Sequence, residues 1–196
     1  TYARIVTGTY RKLTALLIVS TLPTMLIGYQ CKRLIVRTAA SHMFSGIGLL
    51  LTGVILLVVD YSNINGNKGT READYGDAMW MGICQGISVF PGISRLGLTM
   101  SAGLFCGMSR KFAVKYSLLM SIPAVIGAFF VEMGEFTSVS MTVGRGFTYI
   151  LGMLVAGIVG YLVIRFMVNL VNQLKLRYFA FYCFAAGIIV LAANYI

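Results

Sequence analysis

The residues of this chain best suited to chemistry form one short run, Pro91-Gly92-Ile93-Ser94-Arg95, with Thr99 four positions beyond it and Gln85 six before the proline. Arg95 lies between long uncharged stretches, 15 residues before Arg110; on a continuous helix that is roughly 22 Å at 1.5 Å per residue. A guanidinium so far from a charged boundary is costly in lipid and needs a polar cavity, a partner or an anionic ligand. Pro91 lacks an N–H and ends a helix at or before its neighbour, while Gly92 accepts conformations that other residues avoid. A second half-helix beginning near Ser94 leaves unpaired N–H groups and the positive end of its dipole aimed into the gap. There Arg95 adds a fork of donors that takes phosphate oxygens in pairs. The chemistry is that of an anion site, with phosphate as the natural ligand.

The single roles stay open. Ser94 is a helix cap, a phosphate donor or a nucleophile, and no base stands in the local motif. Thr99 shares the helical face of Arg95. Gln85 either lines the cavity as a donor or makes an interhelical hydrogen bond. His42, the only histidine, begins an apolar segment, where a headgroup or helix-end contact is its ordinary role. Glu132 and Glu135 follow a span and read as solvated loop charges. Cys31, Cys84, Cys106 and Cys183 have neither CxxC spacing nor companion histidines, so zinc and redox motifs are unsupported and packing is their reading.

The elements that must hold this run are apolar. Of 196 residues, 58% are hydrophobic and 11% charged, against about a quarter charged in soluble domains, so lipid is the solvent for most of the chain. Since a spanning helix needs roughly 20 apolar residues, the uncharged stretches predict five transmembrane helices at 13–30, 43–59, 112–131, 147–168 and 179–193, the first interrupted at Pro23. Residues 78–107 form two pieces too short to span, a broken or re-entrant helix pair. Unwound backbone at membrane depth survives only when buried in protein or lining a cavity, which favours a ligand site there. The fold class is an all-α polytopic membrane protein, a single membrane domain over 1–196. Gly82 and Gly86, Gly103 and Gly107, and Gly152, Ala156 and Gly160 are spaced for close helix contacts.

Residues 60–77 form the most polar loop, with turn chemistry at Asn63, Asn65, Gly66, Asn67, Lys68 and Gly69. The net charge of +10 is distributed between apolar segments rather than along one face or tail. That suits membrane orientation and anionic membrane lipids, and no nucleic acid is expected as a partner. The charge tally slightly favours residues 78–107 crossing the membrane. The start of the chain, without Met or a cleavable leader, reads as the interior of a longer protein.

Gly82-Ile83-Cys84-Gln85-Gly86, followed by Phe90-Pro91-Gly92-Ile93-Ser94-Arg95-Leu96-Gly97-Leu98-Thr99, closely resembles the second signature of the undecaprenyl-diphosphate phosphatase family, also known for bacitracin resistance, whose usual form is PGxSRSGxT. Gly103 to Arg110 and Tyr116 to Pro123 are similar to this family as well. The resemblance implies a multi-pass protein of the bacterial inner (plasma) membrane that converts undecaprenyl diphosphate to undecaprenyl phosphate for peptidoglycan synthesis, with a polyprenyl diphosphate lipid as substrate. It also implies a divalent cation, magnesium or calcium, whose ligands are not identifiable in this sequence. The family's interleaved inverted repeats, of which this chain would carry half, favour a returning pair at 78–107 over the crossing. Leu96 departs from the usual Ser. The first signature, with a Glu and a Ser-Ser-Thr-Gly-His run, is absent, and with it the expected carboxylate and histidine.

On this resemblance Arg95 and Ser94 are the catalytic candidates, and Gly92, Ser94, Arg95, Thr99 and Gln85 the substrate-binding ones. A homodimer is among the expected associations. The rival readings are a non-enzymatic polyprenyl-phosphate carrier or flippase, since broken helices in inverted repeats also build transporters, and a catalytically inert fragment.

Overall fold

Apolar segments in lipid must satisfy their backbone internally, and the computed structural model is helical wherever the apolar runs fall. It describes all residues except Thr1, Asn63, Asn65, 137–142, 174–175 and 194–196. The elements are α1 (Tyr2–Gln30), α2 (Lys32–Ala39), α3 (His42–Tyr61), α4 (Tyr75–Ile87), α5 (Arg95–Phe105), α6 (Arg110–Phe136), α7 (Val143–Gln173) and α8 (Arg177–Ala193). Segments of α1, α3, α6 and α7 are long and apolar enough to cross a membrane, and α8 is a shorter apolar helix of 17 residues. The chain is an all-α polytopic membrane protein. Asn63 and Asn65 of the expected turn lie outside the described residues.

Two expectations about helix ends change. Pro23 does not interrupt α1, and Pro123 likewise sits inside α6. Ser and Thr hydroxyls bonded to nearby carbonyls help a membrane helix carry a proline, and Ser20, Thr21 and Thr24 all donate to carbonyls one turn back. Residues 132–136, read as the start of a loop, continue α6.

Packing resolves the chain into two units, Thr1–Ala124 with Lys175–Ile196, and Val125–Leu174. Every candidate site residue belongs to the first. In that unit α4 lies along α1, with Gly82 against the Ser20 carbonyl and Pro23, and Gly86 against Ile27. A β-carbon at either position would overlap the neighbouring helix, so this glycine pair serves close packing as its spacing suggests. Gly103 likewise faces Met81, Met108 and Ala113. Gly107 serves the backbone instead, taking φ +82° in the turn that ends α5. In the second unit, Gly152 and Gly160 face open space where a β-carbon would stand.

On the other side of the first unit, α3 and α8 run together. Gly46 meets Leu191, Gly53 meets Phe184, and Asp60 accepts the Leu176 N–H at 2.9 Å with Arg177 at 3.6 Å. The α3 helix is thereby held along its length.

The polar loop decides how α4 and α5 are arranged. Lys68 donates its N–H to the Gly107 carbonyl (3.1 Å) and accepts that of Ser109 (3.0 Å), forming a parallel bridge with Met108. Its ammonium pairs with Asp77 at 3.0 Å, a hydrogen bond that raises the lysine pKa above its ordinary value. Asp77 and Asp74 also form a capping box at the start of α4. The beginning of α4 and the end of α5 therefore sit at the same end of the unit. The two helices form a hairpin, the arrangement expected of a returning pair and not the one the charge tally favours.

Candidate anion-binding site

The tip of the α4–α5 hairpin is built by local sequence. The α4 helix ends at Ile87, one turn before the proline, and Ser88 closes it with a hydroxyl donating to the Gln85 carbonyl at 2.7 Å. Pro91 therefore does not itself stop α4. Phe90 accepts the Ile93 N–H at 3.3 Å, with Pro91 and Gly92 between them and Gly92 at φ +82°. Proline then a left-handed glycine is the signature of a type II turn. The next helix starts where the turn releases the chain, with Ser94 as its N-cap: the hydroxyl accepts the Gly97 N–H at 3.1 Å.

Of the roles open to Ser94, the cap is the one its hydroxyl makes in this structure. The N–H groups of Arg95 and Leu96 at the head of α5 remain without partners among the described residues, as a helix start requires. The Arg95 guanidinium likewise has no carboxylate partner among the described residues. Beside it opens a cavity of about 370 Å³ lined by Arg95, Leu96, Ile93, Ser88, Leu118, Ser117 and Ser121. The α5 helix is followed by the Gly107 turn, so Arg95 and Arg110 are not joined by one continuous helix; Arg95 heads an 11-residue helix at the tip of the hairpin.

The other sequence candidates lie behind this surface. Thr99 is fully buried; it donates to the Arg95 carbonyl at 2.7 Å and meets the Ser117 hydroxyl in a short hydrogen bond. It supports two lining residues without lining the cavity itself. Gln85 is also fully buried, donating from Nε2 to the Met120 carbonyl at 3.1 Å across to α6, while its Oε1 accepts no hydrogen bond among the described residues. Of its two readings the interhelical bond is the one made. Gly92 packs against α3 so closely that a β-carbon there would overlap the Ser45 carbonyl.

Three lining hydroxyls escaped the sequence reading. Ser117 and Ser121 are one helical turn apart on α6 and so share a face; that spacing was available as a signal, within a segment noted only for its resemblance. Ser88 falls within the broken pair expected at 78–107, where one serine in an apolar run carries no signal of its own. Ser88 and Ser121 donate to carbonyls of their own helices, at 2.7 Å each, so each can turn toward a ligand by exchanging one acceptor for another.

The arrangement can hold an anion: a guanidinium without a carboxylate partner and two helix N–H groups without partners, among the described residues, stand beside a space lined also by three serines and by Ile93, Leu96 and Leu118. Among the described residues no three His, Cys, Asp or Glu side chains gather to hold a metal ion, and the lining residues themselves offer it no carboxylate or imidazole.

A family model described as bacitracin resistance protein BacA matches residues 3–189. Curated relatives include an undecaprenyl-diphosphatase of Desulforapulum autotrophicum, 36% identical over 187 residues, covering 94% of this chain and 66% of the relative. Another, from Alkaliphilus metalliredigens, is 37% identical over 191 residues, covering 95% and 67%. A third, from Methanosphaera stadtmanae, is 36% identical over 174 residues, covering 89% and 62%. The chain thus spans about two thirds of the length of these relatives.

Proposed function

The chain belongs to the bacitracin resistance protein BacA family, and from that premise we propose that it supplies the diphosphate-holding part of an undecaprenyl-diphosphate phosphatase acting at the plasma membrane. The names of its curated relatives supply the substrate and the reaction. The observation that carries the reading is the cavity at the head of α5, where Arg95 stands without a carboxylate partner among the described residues.

Phosphoryl transfer asks a protein mainly to position the group and to stabilise the charge spread over its equatorial oxygens. Arg95 takes two oxygens with its fork, the Arg95 and Leu96 N–H groups take another, and Ser88, Ser117 and Ser121 complete the shell. Ser94 serves by capping, so the N–H groups at the head of α5 hold their direction. The apolar walls exclude water around the bound charge, which strengthens each of these hydrogen bonds. The polyprenyl tail extends among apolar helices. The lining residues hold and orient the anion; none is a carboxylate or imidazole that could serve as a general base.

The test is phosphate release from undecaprenyl diphosphate by the native protein and its Arg95→Lys variant. Lysine keeps the charge and loses the fork. Losing a charge-assisted hydrogen bond is worth about 1.5–3 kcal/mol, so kcat/KM should fall roughly 10- to 100-fold. Unchanged release in the variant would remove Arg95 from the site.

A further inference from the structure

The Pro91–Ser94 turn does not hold itself; it is seated in a groove of the second span. The groove consists of Ser45, Gly48 and Thr52, which recur on one face of α3. Gly48 lies directly beneath the turn, where a β-carbon would overlap the Pro91 carbonyl, and the Ser45 carbonyl meets Gly92. At the foot of the groove stands Thr52, 2% exposed. Its hydroxyl donates to the Gly48 carbonyl at 2.9 Å, with the Gly92 carbonyl at 3.4 Å as a second acceptor, and its oxygen accepts the Ser94 N–H at 3.0 Å.

We infer that Thr52 is the positioning residue of the phosphate site: through the Ser94 N–H it sets the N-cap of α5 and hence the placement of Arg95 and the two unpaired N–H groups. This rests on the phosphatase reading above. One hydroxyl joins the turn's carbonyl side and its N–H side to the same point of a helix 42 residues earlier in the chain, so the turn can neither slide along α3 nor rotate about it without breaking a part-buried hydrogen bond. The opposite commitments of α3, to Gly187 and Leu191 of α8 through Gly46 and to Phe184 through Gly53, give the latch a fixed support. Ser94 then passes the constraint on, because the same residue whose N–H is held by Thr52 caps Gly97 with its hydroxyl. Thr52 does not line the cavity; it acts through Ser94 and Arg95.

The experiment compares the native protein with Thr52→Val, which keeps shape and removes the hydroxyl, and Thr52→Ser, which keeps the hydroxyl, each alone and combined with Arg95→Lys. Readouts are kcat and KM for undecaprenyl diphosphate, the Kd for inorganic diphosphate, and Tm in detergent. Thr52→Val should weaken diphosphate binding roughly tenfold, the scale of one buried hydrogen bond, while Thr52→Ser stays within about threefold of native. Because Thr52 acts through Arg95, Thr52→Val should cost much less in the Arg95→Lys background, a coupling that a general loss of stability does not produce. Equal losses in Val and Ser, additive effects with Arg95→Lys, or native affinity in Val would each overturn the inference. If Thr52→Val fails to fold, the comparison of Thr52→Ser with native, alone and with Arg95→Lys, still decides: a serine variant with tenfold weaker binding and an unchanged Tm sinks the latch. If Arg95→Lys alone leaves both release and diphosphate binding unchanged, the phosphatase reading itself fails, an outcome distinct from failure of the latch.

Discussion

Leu96 stands where the family resemblance leads one to expect serine, and it lines the cavity beside one of the two α5 N–H groups without partners among the described residues. The position is the second residue of the helix, where a hydroxyl adds a donor without disturbing the Ser94 cap. Leu96→Ser should therefore tighten inorganic diphosphate binding about 3- to 10-fold, the net worth of one added hydrogen bond, as measured by calorimetric titration. No gain would mean that this side chain faces away from the bound anion. At the same scale Arg95 stands out in the sequence because an isolated cation within apolar sequence has few alternatives, and the structure sets it beside a cavity. The surroundings of Thr99 and Gln85 are less legible. A polar side chain near the motif looks the same in sequence whether it faces the cavity or a neighbouring carbonyl, and both turn out to bond carbonyls.

At the scale of elements, the hairpin of α4 and α5 depends on how closely α4 approaches α1. Gly82 lies against the Ser20 carbonyl, whereas Gly76, six residues earlier on the same helix, faces open space. Gly82→Ala should lower stability by about 1–3 kcal/mol through overpacking. Gly76→Ala should be neutral or stabilising by up to about 1 kcal/mol through helix propensity. Unfolding in detergent with added denaturant would measure both; equal effects would show that the α1–α4 contact is not close-packed. The spacing of Gly82 and Gly86 made this contact legible in advance. The matching groove on α3 was not, because Gly48 and Thr52 are a small and a hydroxyl residue in an apolar run, and only the fold brings the turn down upon them.

At the scale of the molecule, the bridge between Lys68 and Met108 puts the polar loop and the α5–α6 connection at one end of the first unit, while His42 marks the opposite end of α3. In a background lacking the four native cysteines, a membrane-impermeant thiol reagent should label Asn67→Cys and Ser109→Cys from the same side and His42→Cys from the other. Labelling of positions 67 and 109 from opposite sides would mean that α4 and α5 cross the membrane. The sequence alone determined that the chain is helical, multi-pass and interrupted at a proline-glycine turn, since uncharged runs of this length satisfy their backbone in only one way in lipid. It also determined that an arginine stands just after that turn, far from other charges. What only the tertiary structure decided is which way the hairpin returns, which hydroxyls face the arginine, and what holds the turn. Those depend on contacts between residues far apart in the chain, Lys68 with Met108 and Thr52 with Ser94, and neither hydrophobic periodicity nor local turn chemistry records such pairings.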